Sequence, residues 1–416
     1  MTNLSDDRNK VGPASIAKSK NSVYWNAARI VAMAGFPASL LSAGATVSLA
    51  AVSLFGLGTL MRDRDFPSDL KYVHRLFFSL YLLVVLVEVL NGGSIGEIGS
   101  TAFNYLPLPA LALYAYSLRK LELGPPILDG LICITLIAGA AISVGIALTI
   151  QSYRPGGLDM DALSYGCVLA IWLLFVVSRA LESARLSIFF LSSAGFAVAV
   201  LFYAQTKIVI AAVLVGFVCI GLVWVVQNGR WLVFVAVATV TLILLSWVIG
   251  QLSLERYANL WTSVEIYIHE GRITQDGSFG IRMEQVVAGW QAFLDKPLLG
   301  HGLSSVHSAV LEYFASQDPA WRSIRIHNDY IVHMVAFGAL GLVFLAGYLI
   351  VAFIAMNAAG DPAYRRAGLA LVVTMPMMMS AYIIFNMSPV SGAVTLAMGA
   401  VLSVPMRARL GTGHNT

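Results

Sequence analysis

The sequence predicts an all-α polytopic membrane protein with about twelve transmembrane helices, and three observations carry that prediction. Of its 416 residues, 58% are hydrophobic and only 12% charged, with a mean hydropathy of +0.79. Apolar runs of bilayer-spanning length, about 20 residues each, recur from Val23 onward. Lysine and arginine collect in alternate connections between those runs. A chain crossing hydrocarbon must satisfy its own backbone polar groups, so such runs form helices. The net charge of +4 is scattered over short connections and forms no block, which gives no footing for nucleic acid. Cys133, Cys167 and Cys219 fall inside apolar runs with no CxxC, so they are expected to form neither a disulfide nor a metal site.

Residues 1–22 read as a polar tail carrying Arg8, Lys10, Lys18 and Lys20. Ala43-Gly44-Ala45 resembles a leader-cleavage site, but the apolar character continues to Met61, which suits a tight pair of helices better. Glycine, proline and charged breaks place spans near 23–41, 43–61, 73–91, 100–117, 127–150, 161–178, 186–203, 208–226 and 231–250, together the segment 23–250. A large loop is expected over 251–327, then spans near 328–356, 367–385 and 390–406 within 328–406, and a second tail at 407–416. With the N-terminus cytoplasmic, the tails and the connections 62–72, 118–125, 179–185, 227–230 and 357–366 hold sixteen Lys and Arg. The opposite short connections hold two, Arg154 and Lys207. That bias puts both termini in the cytoplasm and the large loop outside.

The loop has helical patterning of its own. Met283, Val286, Val287, Trp290, Phe293 and Leu294 recur at helical spacing and form a stripe that ends before Pro297, expected to lie on the outer-leaflet interface. A second short helix is expected over Ser304–Ser316, with Val306, Val310, Leu311 and Phe314 on one side and a serine cap at its start. His269, His301, His307 and His327 lie in this loop or at its edge.

On this layout Arg154, Lys207, Arg282 and His327 share the outer face. Singly, each has a plain structural reading: Arg154 as a solvated charge, Lys207 as a snorkelling anchor, Arg282 as the wet side of an amphipathic helix, His327 as a helix cap. His333, farther into its span, reads as packed or hydrogen-bonded, His301 and His307 as surface residues, and Arg29 and Glu88 as pairing locally or snorkelling. Together, three cations and a histidine near lipid suit a polar ligand such as a pyrophosphate. Arginine supplies forked donors to it, lysine a point charge, and a histidine can take a proton from a hydroxyl.

The pattern Arg282-x-Glu284, through Trp290 to Asp295-x-Pro297-Leu298-Leu299-Gly300-x-Gly302, is followed by His327-Asn328, nine residues, and Gly338-Ala339-Leu340-Gly341. It resembles the O-antigen ligase and polymerase family, with every defined position of the ligase form H[NSQ]-x9-G-x-x-[GTY] filled. Arg154-Pro-Gly-Gly and Thr206-Lys207 resemble the family's two upstream basic motifs, so the likeness spans roughly the second two-thirds of the chain. It implies a GT-C-like membrane glycosyltransferase of the bacterial inner membrane, with the active site facing the periplasm and no cofactor. The donor would be a glycan on undecaprenyl diphosphate, the acceptor a sugar hydroxyl of lipid A core and the product complete lipopolysaccharide. Arg154, Lys207 and Arg282 would hold the diphosphate and offset the charge that develops as it leaves. His327 would act as general base in an inverting displacement, with Asn328, Gly300 and Gly302 in support.

No metal site is evident, since the connection at Leu41 to Ala45 lacks a carboxylate, although Asp159, Asp161 and Asp329 share the outer face. A single large loop favours ligase over polymerase, although exopolysaccharide polymerases carry the same histidine-asparagine segment. A twelve-span transporter fits less well: the long loop follows span nine, and GTLMRDR from Gly58 to Arg64 puts Arg62 where a transporter motif has an acid.

Overall fold

A computed structural model describes residues 13–150, 157–182, 187–203, 206–229, 277–314, 326–380, 383–385 and 389–405, with isolated positions between 231 and 269. Among these residues the fold is helical and contains no strand. The helices are α1 (Pro13–Ala38), α2 (Gly44–Asp63), α3 (Ser68–Leu90), α4 (Ile95–Asn104), α5 (Pro107–Lys120), α6 (Pro125–Ile150), α7 (Ala162–Ala180), α8 (Ser187–Tyr203) and α9 (Lys207–Asn228). After the intervening stretch come α10 (Gly277–Asp295), a 3-10 turn (Leu303–Ser305), α11 (Val306–Glu312), α12 (Asp329–Asn357), α13 (Pro362–Met379) and α14 (Pro389–Ser403).

Six of these, α2, α3, α6, α7, α9 and α12, are long and apolar enough to cross a membrane. The spans expected at 23–41, 186–203, 367–385 and 390–406 correspond to α1, α8, α13 and α14, which are shorter or more polar than that measure. The span expected at 231–250 lies almost wholly outside the described residues. The one expected over 100–117 is corrected to two helices, α4 and α5, meeting at Tyr105 and Leu106. Proline suits the first turn of a helix, where its missing N–H costs nothing, so Pro107 and Pro109 start a new helix here.

The short α14 is buried from Val390 to Ser403, and α7 along most of its length. A helix that is apolar all round belongs inside a bundle, and these two occupy its centre. Small residues let neighbours approach closely: a Cβ at Gly392 would meet that of Ala45 at 2.6 Å, and one at Gly399 would stand 2.4 Å from the Tyr114 ring.

The two ends of the bundle are held by different chemistry. At one, Arg119 bonds Asp69 and the Leu402 carbonyl, Lys120 pairs with Asp63, Arg179 bridges Asp129 and Asp361, and Arg366, wholly buried, reaches Glu182 and Gln227. These residues lie in or beside the connections richest in lysine and arginine. At the other end, Asp159 accepts the Ser42 N–H at 3.0 Å and its hydroxyl, joining the α1–α2 turn to the start of α7, and Asp161 caps α7.

Candidate active site

The region is built on a broken helix. α12 is interrupted at Gly338, whose φ of 63° and ψ of −146° lie in territory open essentially to glycine. A continuous helix would bond Ala339 N–H to Val335 O and Leu340 N–H to Ala336 O. Instead, Val335 O accepts from His301 N–H at 2.8 Å and Ala336 O from Gly302 N–H at 2.9 Å, while Ala339 N–H donates to Pro297 O at 2.8 Å. The Pro297–Gly302 segment thus replaces part of the helix ladder with its own backbone, as buried polar groups require.

The motif glycines follow from that fit. Gly300 has φ 75°, and a Cβ there would stand 2.4 Å from Ala336 O; one at Gly338 would stand 2.5 Å from the Leu298 carbonyl, and one at Gly341 2.0 Å from His333 O. From the end of α3, Asn91 Nδ2 donates to Leu299 O at 2.8 Å. The part of α12 beyond the break, residues 339–357, is about 28 Å long by helical rise, close to the roughly 30 Å of a bilayer core.

α10 runs beside the first part of α12, close enough that a Cβ on Gly289 would meet Ile331 Cγ2 at 2.5 Å. Its packing face is Ala288, Gly289 and Ala292, with Glu284 and Gln285 also buried. The apolar stripe points outward: Val286, Trp290 and Leu294 are 42%, 49% and 50% exposed. Arg282, exposed, stands about two turns before Gly289, and His327, half-buried, about one turn before Ile331. The structure therefore brings Arg282, His327, Asn328, Gly300 and Gly302 into one block, with the arginine and the histidine toward the same end. Asn328 is the N-cap of α12: its Oδ1 accepts from Tyr330 N–H at 2.9 Å and Ile331 N–H at 3.2 Å.

Lys207 opens α9, after the buried Thr206. α9 and α13 are antiparallel, since Gly216 lies against Thr374 and Gln227 bonds Arg366. That register carries the start of α9 toward the end of α13, the same end as the start of α12, where Tyr330 Oη reaches Pro376 O at 3.2 Å. Arg154 lies outside the described residues.

Several sequence expectations change. Glu88 neither snorkels nor pairs with a local cation: it is 1% exposed and accepts the Leu303 N–H at 3.0 Å, across more than two hundred residues. The expected serine cap near Ser304 is absent; Ser304 instead donates to Glu97 on α4, and the helix proper is Val306–Glu312, with Ser305 at its N-cap making no side-chain cap bond. The Ser304 and Ser94 hydroxyls and the Ser94 N–H hold the Glu97 carboxyl down at about 2, so this pairing persists at any physiological pH. His301 is half-buried, with Nε2 donating to the Ala292 carbonyl at 2.8 Å. His333 is packed and hydrogen-bonded, as its place in an apolar run suggests, but its partner is Tyr105 from the α4–α5 turn at 2.8 Å. The signal for Glu88 was an acid inside an apolar run; nothing local singled out Asn91 or Tyr105.

Chemically, the block sets a permanent cation and an imidazole at one end of an apolar bundle, on backbone held rigid by non-local bonds. That arrangement suits an anionic, lipid-anchored substrate. No curated protein matches the chain. Residues 192–346, which contain α9, α10, α11 and the broken part of α12, match the family model described as O-antigen ligase.

Proposed function

We propose that the protein is an O-antigen ligase of the bacterial inner membrane, transferring a glycan from undecaprenyl diphosphate to a sugar hydroxyl of lipid A core on the periplasmic face. The observation that carries this reading is the placing of Arg282 and His327 at one end of two packed helices, α10 and α12, within the matched segment. Both termini are cytoplasmic on this reading, which follows from the lysine and arginine bias. An enzyme working outside the cytoplasm has no nucleotide sugars, so its donor arrives already activated on a lipid.

The reaction is a single displacement with inversion. The acceptor oxygen bonds to the anomeric carbon as the bond to the diphosphate breaks, and the hydroxyl proton passes to His327. Arg282, with Arg154 and Lys207, offsets the charge that gathers on the leaving diphosphate. Asn328 works through the backbone, setting the turn that carries His327.

The test uses purified full-length protein with undecaprenyl-diphosphate-linked glycan, with and without lipid A core, read by gel mobility. Core glycosylation requiring both substrates is expected. His327→Ala should lower the rate by about 100- to 10,000-fold and Arg282→Ala by about 100- to 1,000-fold. Lengthening of the donor alone identifies a polymerase, and no reaction by folded protein removes the transferase reading.

A further inference from the structure

Behind His327 lies a chain of buried polar groups that the reaction above does not use. Asp329 and His333 are 0% exposed and Tyr105 is 2% exposed. Polar groups so far from water are costly unless bonded: Tyr105 bonds His333, His333 bonds the Asp329 backbone carbonyl and Asp329 Oδ2 bonds distant backbone, while Asp329 Oδ1 has no hydrogen-bond partner among the described residues. Asp329 Oδ2 accepts the Ile384 N–H at 2.6 Å. His333 Nδ1 donates to the Asp329 carbonyl oxygen at 2.7 Å, which leaves Nε2 to accept the Tyr105 hydroxyl at 2.8 Å. The imidazole is clamped as well, stacked on Phe344 with a centroid distance of 5.3 Å and edge-on to Phe385 at the same distance.

Three separate parts of the chain meet in this network: the α4–α5 turn through Tyr105, the segment before α14 through Ile384, and the start of α12. Asp329 directly follows His327-Asn328. The Asn328 backbone is thus bounded on one side by its own cap bonds and on the other by a side chain anchored to Ile384. Apolar residues would fill the same space without the desolvation cost, but hydrogen bonds are directional and fix orientation.

We propose that Asp329, His333 and Tyr105 are positioning residues, holding the His327–Asn328 turn in the geometry from which His327 meets the acceptor hydroxyl. This rests on the role given to His327 above. All three are too deeply buried to touch a sugar, so they act through that turn.

The test compares full-length Asp329→Asn, His333→Asn, Tyr105→Phe and His327→Ala in the transfer assay, with thermal midpoints recorded. A misplacement of about 1 Å can cost about 100-fold, so kcat should fall about 10- to 100-fold in the network variants while KM for the donor moves less than about threefold. Because the groups form one chain, Tyr105→Phe combined with His333→Asn should cost little more than His333→Asn alone. Tyr105→Phe removes one hydroxyl and keeps the ring contacts, so it decides the matter even where an Asp329 variant fails to fold. Wild-type kcat per folded molecule in Tyr105→Phe and His333→Asn, with His327→Ala inactive, overturns the positioning role alone. Full activity of His327→Ala overturns the reading of the site and this proposal with it.

Discussion

Gly338 shows how much of the site rests on one residue without a side chain. Its dihedral angles cost any other residue about 1–3 kcal/mol, and a Cβ would drive into the Leu298 carbonyl 2.5 Å away. Gly338→Ala should therefore lower the thermal midpoint and abolish transfer, because the Pro297–Gly302 segment can no longer seat. A wild-type melting curve for that variant would show that the break is dispensable. Glu88 supplies the complementary lesson, since an isolated buried carboxylate is costly and this one is stabilised by the Leu303 N–H and by a hydrogen bond from Thr101 on α4. The glycines could be picked out in the sequence as a pattern; what Gly300 and Gly338 lie against could not, because the contacting atoms are tens of residues away in the chain.

At the scale of elements, α10 carries an apolar stripe whose periodicity was plain in the sequence and which was expected to face the outer-leaflet interface. The structure adds which residues pack inward: the small Ala288, Gly289 and Ala292 do, leaving Val286, Trp290 and Leu294 exposed. In water such a face would be a liability; beside a bilayer it is a lipid contact. Trp290 fluorescence should accordingly be quenched by brominated acyl chains in nanodiscs and little affected by aqueous iodide, measured in a variant retaining Trp290 alone. Strong iodide quenching with no effect of bromolipid would place the stripe in water. The split of the expected 100–117 span into α4 and α5 has a similar lesson, because hydropathy averages over Pro107 and Pro109 while the backbone stops at them.

At the scale of the molecule, the two ends differ in kind. Ion pairs join the ends of α2, α3, α5, α6, α7 and α13 at one pole, while carboxylate-to-backbone bonds and the α10–α12 block occupy the other. In the orientation proposed above from the positive-inside bias, the ion-paired pole is cytoplasmic. In a cysteine-free background, Ser42→Cys should then react with a membrane-impermeant maleimide applied from the periplasm, and Arg64→Cys only after the membrane is opened. Arg64 is exposed and Ser42 half-buried in the structure. The reverse pattern would invert the protein and place the proposed site in the cytoplasm.

Hydropathy and charge act locally and add along the chain, so the sequence by itself determined that this is a helical membrane protein and where most of its helices run. The motif around Arg282, Gly300, Gly302 and His327-Asn328 was likewise legible, as a string of residues. Only the tertiary structure decided that Val335 O and Ala336 O are satisfied by His301 and Gly302, that Glu88 answers Leu303, and that Tyr105 meets His333. Those bonds join groups separated by tens to hundreds of residues. No periodicity encodes them, because each exists only where packing has brought a donor to an acceptor that the helix or the water has given up.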